Sequence, residues 1–133
     1  MKQFEVDSSY RQFYIADAEL EPEAPEEWTE AHVAQRHNTH QYIAALCPEG
    51  DDSASIISVG PNEERPSFDE TVGFEVETKI EVPSGRVGVY GWPWELQDEY
   101  QVKPGRVLVR FVGYSIDQVD AGKDFYLVQI CAE

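Results

Sequence analysis

Positive charge is what this sequence has least of. Ten lysines and arginines stand against 26 aspartates and glutamates, a formal net charge of −16 over 133 residues. Nucleic-acid binding depends on cations that neutralise phosphates, so the balance argues against direct contact with DNA or RNA. It argues equally against docking on an anionic membrane. Long hydrophobic runs are missing as well. None approaches the roughly 20 residues of a membrane span. The N-terminal MKQFEVDSS is polar, unlike a basic and then apolar leader. With those signals absent, the expected location is a bacterial-type cytoplasm. Cysteine is scarce: Cys47 and Cys131 both sit in apolar, strand-like runs, where the residue usually acts as a small buried hydrophobe. A domain of this length buries enough apolar surface to fold without a disulfide or a metal.

Catalytic signatures are absent too. There is no GxSxG, and no cysteine in an electropositive setting that would lower its pKa. Gly85, Gly88 and Gly91 follow a turn into a strand and have no nearby lysine, so they form neither a phosphate loop nor a dinucleotide fingerprint. His37 and His40 are three apart, with His32 five before His37. Such a pair could share a helix face and hold a metal, but HNTH reads as a helix end turning into a strand, and no further ligand completes the set. Asp51 and Asp52 lack the alternating oxygens of a calcium loop. Asp98 and Glu99, beside Trp92, Trp94 and Tyr100, imitate a glycosidase pair but carry nothing that separates them from a solvated loop. The expectation is a protein that is not an enzyme, with no catalytic residues, no cofactor and no metal.

What is present is the alternation of half-buried strands. In TVGFEVETKIEV, Val72, Phe74, Val76, Ile80 and Val82 fall on one side, and Gly73, Glu75, Glu77, Lys79 and Glu81 on the other. GRVGVYG follows a turn at VPSG. GRVLVRFVGY follows KPG, where Pro104 pre-sets φ and Gly105 accepts a positive one. DFYLVQICA is apolar almost throughout and reads as buried on both faces. KQFEV, YRQFYIA, QYIAALC and ASIISV complete the set. The expected fold is all-β: one domain over 1–133, an antiparallel β-sandwich of about seven to eight strands with one or two short helices in connections. One helix is expected after Trp28, capped by Thr29, and a second helical turn at WELQDEY.

Two stretches stand out as candidate surfaces. Between Asp17 and Glu30 lie seven carboxylates (Asp17, Glu19, Glu21, Glu23, Glu26, Glu27 and Glu30) with no lysine or arginine among them. Prolines make ELEPEAPEE an extended surface loop, with Trp28 as its anchor. In YGWPWELQDEY, Tyr90, Trp92, Trp94 and Tyr100 crowd around Pro93. Aromatics among carboxylates suit recognition of a basic protein, with charge speeding encounter and rings slowing release. The candidate partner-binding residues are Glu19, Glu21, Glu23, Glu26, Glu27, Trp28, Trp92, Trp94, Asp98 and Glu99. The alternative is a small-ligand or carbohydrate site stacking on Trp92, Trp94 and Tyr100.

Several short peptides carry a family resemblance. Ser9-Tyr10-Arg11-Gln12-Phe13, Trp28-Thr29 with Ala31, Ala34-Gln35-Arg36, Tyr42-Ile43-Ala44 and the Pro104-Gly105 turn together resemble the competence protein J family. Its members are acidic proteins of about this length. The resemblance implies inhibition of a DNA-entry nuclease by binding the nuclease rather than DNA. On that reading the partner is a basic nuclease or toxin, the role is of inhibitor or immunity type, and the acidic loop stands in for phosphates.

Overall fold

The computed structural model describes residues 2–7, 12–48, 53–91, 94–114 and 125–132. They form ten strands and one helix. In chain order these are β1 (Lys2–Asp7), β2 (Phe13–Asp17), α1 (Glu30–Gln35), β3 (His37–His40), β4 (Ile43–Leu46) and β5 (Ser53–Val59). They continue as β6 (Val72–Val82), β7 (Arg86–Gly91), β8 (Glu95–Gln101), β9 (Gly105–Tyr114) and β10 (Phe125–Ala132). Two five-stranded sheets result, one ordered β1-β5-β10-β9-β6 and the other β3-β4-β2-β7-β8. Every pairing is antiparallel except β5 with β10, which is parallel.

The sheets bury their facing sides against each other. Ile56, Val109, Phe111, Tyr126 and Val128 from the first meet Phe13, Ile15, Leu46, Val87 and Val89 from the second in one cluster. The Phe13 and Phe111 rings meet edge-on at 5.4 Å across the layer. The expected alternation in β6 holds, with Ile80 and Val82 buried and Glu75, Glu77 and Lys79 exposed. Val72 departs from it: a register shift between Val72 and Phe74 leaves Val72 exposed. Both expected turns are present. Gly85 closes the β6–β7 hairpin at φ +77, and Gly105 opens β9 at φ +139. α1 begins where expected, on a capping box in which the Thr29 hydroxyl accepts from His32 N and His32 Nδ1 accepts from Thr29 N.

The second expected helical turn is absent: residues 95–101 form β8, an edge strand paired to β7. HNTH likewise forms a full edge strand, β3. These two strands raise the number from the expected eight to ten. Both are polar segments whose pairing is supplied by an apolar neighbour, so period-two hydrophobicity does not mark them.

Each sheet also has an outer face, and a connection crosses each. Residues 60–71 run over the first sheet, where Phe68 packs edge-on against Tyr114 and Phe125 and helps bury Val59, Val112 and Leu127. Residues 18–29 run over the second sheet. This double cover explains why β2 is buried at all five positions and β10 at Tyr126, Leu127, Val128 and Ile130. Cys47 and Cys131 are both free thiols and half-buried.

Candidate functional site

The acidic strap at residues 18–29 starts from a buried carboxylate. Asp17, the last residue of β2, is fully buried. Its Oδ1 accepts from Glu19 N (2.9 Å), Leu20 N (3.0 Å) and the Ser84 hydroxyl (2.9 Å), and its Oδ2 accepts from Ser84 N (3.0 Å). Burial works to raise its pKa, but the hydrogen bonds outweigh it and hold the group below the usual carboxylate range. One side chain thus fastens the root of the strap to the β6–β7 turn.

From there the chain crosses an apolar surface. Tyr14, Ala16, Ile43, Ala45 and Tyr90 form the outer layer of the second sheet, and Ala24, Trp28 and Trp94 pack upon them. Pro25, within the strap, is buried. At the far end the Trp28 indole N–H donates to Gln12 Oε1 at 3.3 Å, and the buried Asn38 amide donates to the Glu27 carbonyl at 2.7 Å. Trp28 therefore holds a connection down, as its position in the sequence implied. Trp94 belongs to the same layer. Its indole stacks on the Tyr90 ring at 4.1 Å and 7° and tilts against Tyr14 at 5.7 Å. Gly88 makes the stack possible, since a Cβ there would stand 2.5 Å from the Tyr90 ring. Burial raises the Tyr14 phenol to about 12 and raises Tyr90 as well, so both remain neutral on this face.

With the ordered backbone beneath it, the strap turns its carboxylates outward. Glu19, Glu21, Glu23, Glu26 and Glu27 are all exposed. Glu19 shares Arg86 with Glu99, at 3.1 and 2.8 Å. Among the described residues no cation is paired with Glu21, Glu23, Glu26 or Glu27. The outer face of the first sheet differs, for there Arg65 pairs with Glu75 at 2.9 Å and Arg110 with Glu77 at 2.8 Å. Two open grooves flank the strap. Glu21, Pro22, Glu23, Ala24 and Trp94 line one; Glu23, Glu26, Glu27, His32, Thr39 and His40 are prominent in the other.

The structure thus brings together eight of the ten candidate binding residues: Glu19, Glu21, Glu23, Glu26, Glu27, Trp28, Trp94 and Glu99. Asp98 stands apart. It faces the opposite side of β8, where it accepts from the Tyr100 hydroxyl at 2.7 Å. That hydroxyl also meets the buried Ser58 at 2.6 Å, so Tyr100 clamps the two sheets from within. Trp94 and Tyr100 consequently form no common stacking platform. Trp92 lies outside the described residues. Among the described residues, no group of three or more His, Cys, Asp and Glu side chains is placed to hold a metal ion. His32 serves the helix cap, and His37 Nδ1 meets the Thr39 hydroxyl at 3.0 Å.

Three participants were not evident from sequence. Asp17 resembles any other acid in an acidic stretch. Arg86 reads as an ordinary strand residue, and Tyr90 stands out only as one ring of the aromatic cluster around Pro93, not as the partner on which Trp94 stacks.

No family model and no curated protein matches this sequence. Solved structures do. ComJ from Bacillus subtilis, an inhibitor of the DNA-degrading activity of NucA, superposes with a TM-score of 0.77 at 13% identity, covering 100% of this chain and 96% of that one. The product of crocagin biosynthetic gene J superposes with a TM-score of 0.55 at 12% identity, covering 100% and 99%. At such identities the likeness is one of fold. The resemblance to competence protein J, read from short peptides, is borne out as a structural likeness along the whole chain.

Proposed function

We propose that this chain is a non-catalytic protein-binding domain of inhibitor or immunity type, whose target is a nuclease with a basic surface. The strap carries the reading: carboxylates without cations set against them are held outward from a rigid, doubly covered sheet. A nuclease must offer positive potential to its substrate's phosphates, and a fixed row of carboxylates can occupy the same surface. The fold shared with an inhibitor of NucA supports this target class. Long-range attraction supplies rapid encounter, and the aromatic layer under the strap keeps the binding face pre-organised, which lowers the entropic cost of docking.

The test is inhibition of DNA degradation by NucA and by the nucleases of the organism that encodes this chain. Suppression is expected near one-to-one stoichiometry at low salt, weakening as ionic strength rises. If no nuclease is slowed at any salt concentration by a molar excess, and none co-elutes with the protein, the reading is wrong.

A further inference from the structure

The groove between the strap and Trp94 has the chemistry of a receptor for a guanidinium group. One wall is the half-buried indole, whose ring is fixed by the parallel stack on Tyr90. The other wall is Pro22 and Ala24, with the exposed Glu21 and Glu23 at the rim. The floor and walls are thus largely apolar. At about 330 Å³ the groove lies at the small end of ligand clefts, a size suited to one side chain. Leu20, next to Glu21 in the strap, and Leu96, two residues after Trp94 on β8, are two of the four large hydrophobics exposed among the described residues.

We propose that this groove seats an arginine side chain of the partner protein, deepening the reading given under Proposed function and resting on it. Arginine fits better than lysine for two reasons. Its flat, weakly hydrated guanidinium lies against an aromatic or apolar wall, where an ammonium would keep its water. Its forked donors suit a carboxylate acceptor, of which Glu21 and Glu23 supply two along this groove, and such charge-assisted pairs are the strong ones. The electrostatics select the same occupant, because Glu21 and Glu23 have no cation of their own among the described residues. Arg86, a cation on this face, is already held by Glu19 and Glu99.

The design of the test separates a built groove from mere attraction to an acidic protein. Glu21→Gln/Glu23→Gln removes two charges at the groove. Asp69→Asn/Glu70→Gln removes two exposed charges from the connection over the other sheet, so long-range attraction falls equally in both variants. Acetyl-hexa-arginine amide and acetyl-hexa-lysine amide are titrated into the full chain, and binding is followed by calorimetry and by the shift of the Trp94 indole N–H resonance. The groove variant is expected to bind the arginine peptide about tenfold more weakly, with the control changed less than about twofold. The Trp94 signal should move with the arginine peptide in wild type and control at peptide concentrations that leave the groove variant largely unmoved. Equal weakening in the two variants, equal affinity for the two peptides, or an unmoved indole each overturns the assignment. The nuclease assay then separates the two claims. Inhibition retained in full by the groove variant, beside an unmoved indole, removes the groove and leaves the inhibitor reading standing. Arginine binding at the groove without inhibition of any nuclease does the reverse.

Discussion

Replacing Asp17 by alanine tests the account of how the strap is held. Its carboxylate receives four hydrogen bonds, three on Oδ1 and one on Oδ2, and no water-exposed surface remains to it. A hydrogen bond to a charged acceptor contributes roughly 1.5 kcal/mol at the low end, so four sum to about 6 kcal/mol. Two corrections reduce that. The Glu19 and Leu20 amides lie in an exposed turn and can recruit water, and removing the carboxylate also relieves its desolvation. A loss of about 3 kcal/mol is expected, which lowers the melting temperature by roughly 10–15 °C for a chain of this size. Asp17→Asn should lose less, because its oxygen can take the three bonds made to Oδ1 while its NH₂ faces only the Ser84 N–H. The pH dependence gives a second reading. The folded-state pKa is lowered, so the stability that Asp17 contributes is fully present above its unfolded value near 4 and is lost as pH falls through the folded one. The gap between wild type and Asp17→Ala should therefore be constant above about pH 5 and close on acidification. Calorimetric melts at pH 7 and pH 3 measure both. A variant melting within about 2 °C of wild type at pH 7 would refute the role given to this residue.

Three further outcomes follow from particular contacts. Tyr100→Phe leaves the fully buried Ser58 hydroxyl without its phenolic partner and should cost about 1–3 kcal/mol in a urea titration, whereas a surface tyrosine would cost almost nothing. Gly88→Ala drives a methyl into the Tyr90 ring; unstacking Trp94 should change the near-ultraviolet dichroism and cost about 1–3 kcal/mol. Burial first, and then the charge of His32, lowers the pKa of His37. Its neutral form thus supports the fold fully above its unfolded pKa of about 6.5, and stability declines as pH drops from there toward the folded value. His37→Gln should flatten that slope, as chemical denaturation between pH 5 and pH 8 would show.

Where sequence alone was informative, apolar periodicity carried the information. Val76, Ile80 and Val82 alternate with charged residues because one face of β6 meets the core and the other meets water. The nearly continuous apolar run in β10 reflects its central place under a covered face. The edge strands β3 and β8 carry no such mark: HNTH and ELQDEYQ owe their pairing to β4 and β7, and a polar strand is defined by its neighbour. The acidic loop was legible as a surface, and Trp28 as its anchor. The separation of Asp98 from Glu99 was not, because successive residues of a strand point to opposite faces and 94–100 read as helical. The burial of Asp17 was equally hidden, since it arises from a turn 67 residues further along the chain.

The placement of β10 governs the order in which the molecule can be completed. All five strands of the second sheet lie between residues 13 and 101, so its strand pairings need nothing from the later part of the chain, although its inner face does. The first sheet differs. Its central strand is the last to emerge, inserting between β5 and β9 with a parallel bond on one side. Until it arrives, β1-β5 and β9-β6 remain two separate ribbons with open inner edges, a slow and aggregation-exposed stage for a nascent polypeptide.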